Sequence, residues 1–248
     1  LASFSEIDGI STATQLSFGK SDACALLSDG TISCWGSDSF GMNSISSITT
    51  ATSVSNFEYH SCATLSDGTV KCAGYNAYGQ LGNGSTTTSS SSTPVSVSGI
   101  SNATQVSSGY YYNCARLSDS TVKCWGMNNG GSLGDGSQTD RTTPVVVSGI
   151  NNATQISAGK NSHTCARLSD STVKCWGDNN YGQLGDGSTT RRTTPVDVSG
   201  ISNATQVSSG RYHSCARLSD STIKCWGRNS NGELGDGSTT GRTTPVAV

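Results

Sequence analysis

The sequence predicts an all-β protein, a five-bladed β-propeller whose repeats of about fifty residues each carry four strands. Three observations predict it. The stretch His213-Ser-Cys-Ala-Arg-Leu-Ser-Asp-Ser-Thr-Ile-Lys-Cys-Trp-Gly227 occurs five times with small variations. Its cysteines pair off ten positions apart as Cys24/Cys34, Cys62/Cys72, Cys114/Cys124, Cys165/Cys175 and Cys215/Cys225, which accounts for all ten cysteines. The first members of successive pairs lie 38, 52, 51 and 50 residues apart. A period of that size, divided into short strands, is the signature of propeller blades.

Each of the five units reads as a β-hairpin, because alternating apolar and polar arms flank a turn such as Ser219-Asp-Ser221. A three-residue turn with a left-handed last residue sets Leu27 against Thr31 and Cys24 against Cys34. A two-residue turn would slip the register and set Cys24 against Trp35. Directly opposed positions bring Cβ atoms close enough for a disulfide. Gly30 and Gly68 suit the left-handed position, whereas Ser120, Ser171 and Ser221 accept some strain there. Zinc is the rival reading, but its ligands come as closely spaced Cys-x2-4-Cys pairs. Each intra-hairpin bridge closes a short loop and adds about 3 kcal/mol on the chain-entropy model.

The fullest repeat starts at Thr194 and gives the strand expectation: Pro195–Val198, Thr205–Ser208, His213–Leu218 and Thr222–Trp226, followed by a Gly-rich loop over 227–244. No stretch carries a 3.6-residue apolar period long enough for a helix. Repeat 1 lacks about a dozen loop residues, together with the Leu-Gly-Asp-Gly motif. Repeat 2 has Ala73 in place of Trp35, Trp125, Trp176 and Trp226, and Phe57 in place of Gly109 and Gly210. Repeat 4 has one extra residue before Cys165, and repeats 3 to 5 are otherwise near copies. Residues 1–248 are therefore expected to form one domain, with hairpin cores at 24–34, 62–72, 114–124, 165–175 and 215–225.

Composition narrows the function. A hydrophobic share of 33% is lean for a globular chain, and covalent staples suit a lean core. The net charge of −2 leaves no basic footprint for nucleic acid. Paired cysteines imply an oxidising compartment, extracellular or cell-surface. No apolar run reaches the length of a membrane helix. Leu1 reads as the start of a processed chain, with no signal peptide ahead of it.

The segment Cys165-Ala-Arg-Leu-Ser-Asp-Ser-Thr-Val-Lys-Cys-Trp-Gly-Asp-Asn-Asn-Tyr-Gly-Gln-Leu-Gly-Asp-Gly187 resembles the repeat of the regulator of chromosome condensation (RCC1) superfamily. The matching core is Leu-x-x-Asp-Gly/Ser-x-Val followed by Trp-Gly-x-Asn-x-x-Gly-x-Leu-Gly, and the resemblance runs over essentially the whole chain. It implies a β-propeller, commonly of seven blades, whereas this chain carries five repeats. The founding member is a nuclear exchange factor and chromatin binder; disulfides and the absence of a basic tail set this chain apart from it. The cysteine-bearing version is similar to extracellular microbial members used for binding or display. One secreted branch inhibits an enzyme through its propeller face, so the resemblance also implies protein binding.

No residue set stands out as catalytic, and no cofactor or metal is expected. His60, His163 and His213 each stand two residues before a hairpin's first cysteine, a place held by Asp22 and Tyr112 in the other repeats. That register reads as blade packing rather than a metal or catalytic role. Asp29, Asp67, Asp119, Asp170 and Asp220 sit in the hairpin turns, where Asp bonds backbone two residues on. Asp135, Asp186 and Asp236 in Leu-Gly-Asp-Gly-Ser read as loop turns rather than calcium or phosphate ligands. Arg141, Arg192 and Arg242, six residues later, are placed to close those loops. The four tryptophans could line a sugar site, but their fixed place after a cysteine favours inter-blade packing.

Asn102, Asn152 and Asn203 each open Asn-Ala-Thr, and Asn83 opens Asn-Gly-Ser. They are candidate glycosylation sites; copying of a turn asparagine explains the common register equally well. At the ends, 6–19 aligns with 197–210, so pairing of the terminal segments is expected to close the ring. Phe4–Ile7 and Pro245–Val248 compete for one strand position, which leaves one strand to pair elsewhere. The expectation for function is a non-enzymatic extracellular structural or display module, such as a glycosylated fibre or surface-assembly subunit, that self-associates or meets another extracellular protein. The alternative is a secreted protein- or glycan-binding propeller acting through loops on one face.

Overall fold

The computed structural model describes residues 10–19, 22–37 and 42–248. These form a five-bladed β-propeller of antiparallel sheets. Blade 1 comprises β1 (Ala13–Phe18), β2 (Asp22–Leu27) and β3 (Ile32–Gly36). Blade 2 comprises β4 (Ala51–Phe57), β5 (His60–Leu65), β6 (Val70–Asn76) and β7 (Thr87–Ser96). Blade 3 comprises β8 (Ala103–Ser108), β9 (Tyr112–Leu117), β10 (Val122–Gly126) and β11 (Arg141–Val146). Blade 4 comprises β12 (Ala153–Ala158), β13 (His163–Leu168), β14 (Val173–Gly177) and β15 (Arg192–Asp197). Blade 5 comprises β16 (Ala204–Ser209), β17 (His213–Leu218), β18 (Ile223–Gly227) and β19 (Arg242–Ala247). A 3-10 turn, Met42–Ser47, follows blade 1, where a fourth strand is absent among the described residues.

The sheets are offset from the sequence repeats. The repeat's first strand, around Pro195, does not join the strands that follow it; β15 pairs with β14 and finishes the preceding blade. Chain continuity between blades thus runs from the outermost strand of one to the innermost strand of the next.

The hairpin turn decides the middle of every blade. Gly30 (φ 83°) and Gly68 (φ 78°) are left-handed, and Ser120, Ser171 and Ser221 follow at 65°, 66° and 68°. The five aspartates brace that turn: Asp29 Oδ1 accepts from the Thr31 amide at 2.9 Å and the Thr31 hydroxyl at 2.6 Å. The other four repeat the arrangement. Those hydroxyls and amides hold all five carboxyls below the usual carboxylate range. In the resulting register Cys24 faces Cys34 and Cys165 faces Cys175, and each of the five hairpins carries its own disulfide.

The core lies between blades. Four apolar clusters occupy the four joints from blade 1 to blade 5, each built from the facing sides of two neighbouring blades. Three devices recur there. The hydroxyls of Ser17, Ser55, Ser107 and Ser157 each accept from a backbone amide of the following blade at 2.9 Å. Gln15, Gln105 and Gln155 clasp one residue across the joint: Gln155 Nε2 donates to Val207 O (3.1 Å) while its Oε1 accepts from Val207 N (2.9 Å). Trp125, Trp176 and Trp226 are fully buried, and their indole N–H groups donate to the carbonyls of Gln80, Ser132 and Gln183 in the preceding blade's loop.

The outward side of blade 1 differs. Leu16 holds the register of Val54, Val106, Ile156 and Val207, all at most 3% exposed, yet is itself 49% exposed, and Phe18 is 59% exposed. The expected closing segment Phe4–Ile7 lies outside the described residues. Its sequence counterpart at the other end serves as β19, paired with β18.

Candidate functional site

The innermost strands pack in succession, β1 on β4, β4 on β8, β8 on β12 and β12 on β16, around the propeller axis. The short loops that lead from each to its second strand converge at one end of that axis, the channel mouth. There a cavity of about 530 Å³ is lined by Gly19 of blade 1, Phe57, Glu58 and Tyr59 of blade 2, Tyr110 of blade 3, Lys160 and Asn161 of blade 4, and Arg211 of blade 5. All five blades therefore contribute to one concave site, of a size usual for binding pockets.

These loops are the least repetitive part of the blades. After the residue that ends the inner strand turn, blades 2 to 5 carry Glu58, Tyr110, Lys160 and Arg211 in succession. Their backbones are also strained. Glu58 (φ 47°), Tyr111 (φ 61°) and Ser162 (φ 55°) are left-handed without being glycine, a conformation that costs on the order of 1–3 kcal/mol per residue and gathers at functional loops.

Beside the cavity, Tyr59, Tyr75, Tyr78, Tyr110 and Tyr111 form a contiguous cluster. Tyr59 and Tyr111 stack at 5.3 Å with an 11° interplanar angle, and Tyr110 lies 4.2 Å from Tyr111. Tyr75 and Tyr78 extend the cluster outward. Burial, with the Tyr110 hydroxyl, pushes the Tyr111 phenol far up, so it is protonated and a hydrogen-bond donor across physiological pH. In blades 4 and 5, Tyr181 and Tyr212 meet at 5.0 Å, with the Arg228 guanidinium over both rings and Arg211 over Tyr212 at 5.2 Å.

The residues singled out in the sequence lie elsewhere. His60 and His163 are fully buried at the joints; their Nε2 atoms lie 3.0 Å from Asn113 Oδ1 and Ser214 Oγ of the next blade. Burial pushes both imidazoles down to about 4, and the half-buried His213 is lowered by the same cause. Tyr112 holds the same register in blade 3, its hydroxyl donating to His163 O in blade 4. Asp135, Asp186 and Asp236 turn their loops and take ion pairs from Arg141, Arg192 and Arg242 at 2.8, 3.0 and 2.9 Å. Burial pushes Asp135 and Asp186 up, but the adjoining serine hydroxyl and amide, with the arginine, bring both below the usual carboxylate range. No group of three His, Cys, Asp or Glu side chains converges among the described residues.

The sequon asparagines stand at the lead-in to the inner strands. Asn102 and Asn203 are half-buried, with Nδ2 donating to Ser118 and Ser219 hydroxyls at 3.4 and 3.3 Å. Asn152 keeps the same register. Asn83 takes the place of the loop aspartates, its Oδ1 accepting from the Ser85 amide and hydroxyl.

The tyrosine and cation cluster was missed in the sequence because its members are far apart in the chain. The available signal was the residue after Gly109, Gly159 and Gly210, which changes from Tyr to Lys to Arg inside otherwise near-identical repeats.

Comparison with known proteins finds the same kind of repeat along the chain. Family models described as the regulator of chromosome condensation repeat match residues 67–116, 120–167 and 171–217, and, for a second model, 13–41, 103–132, 153–183 and 204–233. Among solved structures, human WBSCR16 is 21% identical, with 95% of this chain on 67% of that one at a TM-score of 0.82. Saccharomyces cerevisiae Prp20p, studied for its binding to Gsp1p and histones, is 15% identical over 94% of this chain and 76% of its own, at a TM-score of 0.62. The yeast protein bound to Kap60 matches at 15% identity over 94% and 74%, at a TM-score of 0.61. At these identities the likeness is one of fold. No helix among the described residues is long and apolar enough to cross a membrane.

Proposed function

The chain belongs to the regulator of chromosome condensation (RCC1) repeat family, and from that premise we propose that it is a non-enzymatic extracellular module that binds a protein partner on the loop face at its channel mouth. The observation that carries this reading is the convergence of Tyr59, Tyr110, Lys160 and Arg211 from four blades on one cavity, with Tyr75, Tyr78 and Tyr111 packed beside it, on loops that vary from repeat to repeat. Tyrosine and arginine are enriched where proteins meet, since each offers wide contact area and a polar tip. Five disulfides fit an oxidising compartment. Prp20p, of the same fold, was studied with protein partners, which supports protein as the ligand class. The test is capture from the native extracellular medium with the intact chain and with a Tyr110→Ala/Tyr111→Ala variant. The reading expects a stoichiometric protein partner that the variant loses while a Thr205→Ala variant, remote from the loop face, keeps it. A partner held equally by all three chains would overturn it.

A structural or display role, as a fibre or surface-assembly subunit, has one observation in its favour. Leu16 and Phe18 in blade 1, and Ile223 and Val248 in blade 5, are 44–62% exposed apolar side chains, and such surfaces mark contacts. Native mass measurement separates the readings: concentration-dependent polymers favour assembly, and a monodisperse monomer favours the binding module.

A further inference from the structure

We propose that the channel mouth is a receptor for a carboxylate side chain of an acidic peptide segment, taken between Lys160 and Arg211. The proposal rests on the loop-face reading above and names the chemistry of its partner.

The backbone holds the two residues side by side, and both side chains reach the one cavity. Lys160 N donates to Gly210 O at 2.9 Å, a bond from the blade 4 loop to the blade 5 loop that holds residue 160 next to residue 211. From there the Lys160 ammonium reaches the ring of Phe57 in blade 2, 5.2 Å from its centroid. Arg211 lies over Tyr212. Both side chains line the cavity and are exposed. Neither has a carboxylate within ion-pair distance among the described residues, although other surface cations are paired: Lys174 with Asp197, Arg191 with Asp178 and Arg228 with Glu233. Glu58 is the one carboxylate among the described lining residues. Both cations line the one cavity, and a carboxylate entering it meets two charged donors. The ammonium–ring contact it must compete with is weak at an exposed site. In a chain of net charge −2, this local positive site also steers an acidic ligand to the mouth.

The aromatic geometry favours a peptide over a sugar. A sugar ring stacks on an open aromatic face. Here Tyr59 and Tyr111 each cover one face of the other, and Tyr110 lies against Tyr111.

Titration calorimetry tests this with the full chain and three probes: acetylated, amidated hexaglutamate; the matching hexalysine; and a hyaluronan hexasaccharide, which carries carboxylates on sugar. Hexaglutamate is expected to bind in low salt, to weaken as salt rises, and to lose at least about tenfold in affinity, about 1.4 kcal/mol, in Lys160→Ala and in Arg211→Ala. The double reversal Lys160→Glu/Arg211→Glu should exchange hexaglutamate for hexalysine, with an unchanged circular dichroism spectrum reporting the fold. No hexaglutamate binding, binding indifferent to these substitutions, or tighter binding of the hexasaccharide would overturn the proposal. Its failure is separable from that of the loop-face reading: a partner lost by Tyr110→Ala/Tyr111→Ala but kept by the double reversal leaves the reading standing and removes the carboxylate receptor.

Discussion

Acidification from pH 7 to pH 4.5 should destabilise this propeller through its buried histidines. His60 and His163 are fully buried and their imidazoles are pushed from 6.5 down to about 4. In the unfolded chain both titrate near 6.5. Below that pH the unfolded state takes up protons that the folded state refuses, so stability falls as pH drops through 6.5 and levels off near 4. A difference of roughly 2.5 units at about 1.4 kcal/mol per unit gives about 3.5 kcal/mol for each ring once the window is crossed. Two such losses are comparable with the whole stability of a typical domain. His213, lowered in the same direction by burial and opposed by Glu233, adds to the loss. The loop and turn carboxylates do not confuse the window, because their folded values lie below the usual carboxylate range and their stabilisation fades only at lower pH. The assay is urea unfolding followed by circular dichroism, disulfides intact, at pH 7.5, 6.5, 5.5 and 4.5. The midpoint should fall steeply below pH 6.5, and a His60→Asn/His163→Asn variant should show a much flatter profile. A wild-type midpoint that stays level to pH 4.5, or a variant that falls as steeply, would refute the reasoning.

Three further expectations bear on the joints, the staples and the sequons. Gln155→Ala strips Val207 of both partners across a part-buried joint; it should lower unfolding free energy by about 2 kcal/mol in the same urea assay, and a change under 0.5 kcal/mol would deny the clasp its role. Non-reducing peptide mapping should find the pairs Cys24–Cys34, Cys62–Cys72, Cys114–Cys124, Cys165–Cys175 and Cys215–Cys225, and dithiothreitol should unfold the chain at room temperature, since each bridge contributes about 3 kcal/mol. Glycosylation at Asn102, Asn152 and Asn203 predicts glycan mass increments on their tryptic peptides from the native source; bare asparagines there would reduce the motif to a turn.

The sequence by itself determined what local chemistry can enforce. An Asp-braced turn of three residues sets the hairpin register, and that register puts cysteine opposite cysteine in every repeat. The period of the copies made four-stranded blades legible, and the place of the tryptophans announced an inter-blade role. Tertiary structure alone decided the rest, because it depends on residues about fifty positions apart meeting across a joint. Which carbonyl receives each indole, which strand finishes which blade, and the Gln and Ser ties all follow from packing one sheet on the next. The same cause hid the loop face proposed to bind a partner. Tyr59, Tyr111, Lys160 and Arg211 sit in four different repeats, and each looks like an ordinary polar loop residue in its own. Only the curvature of the stacked blades brings those loops to one channel mouth, where side chains that vary from copy to copy make a single site.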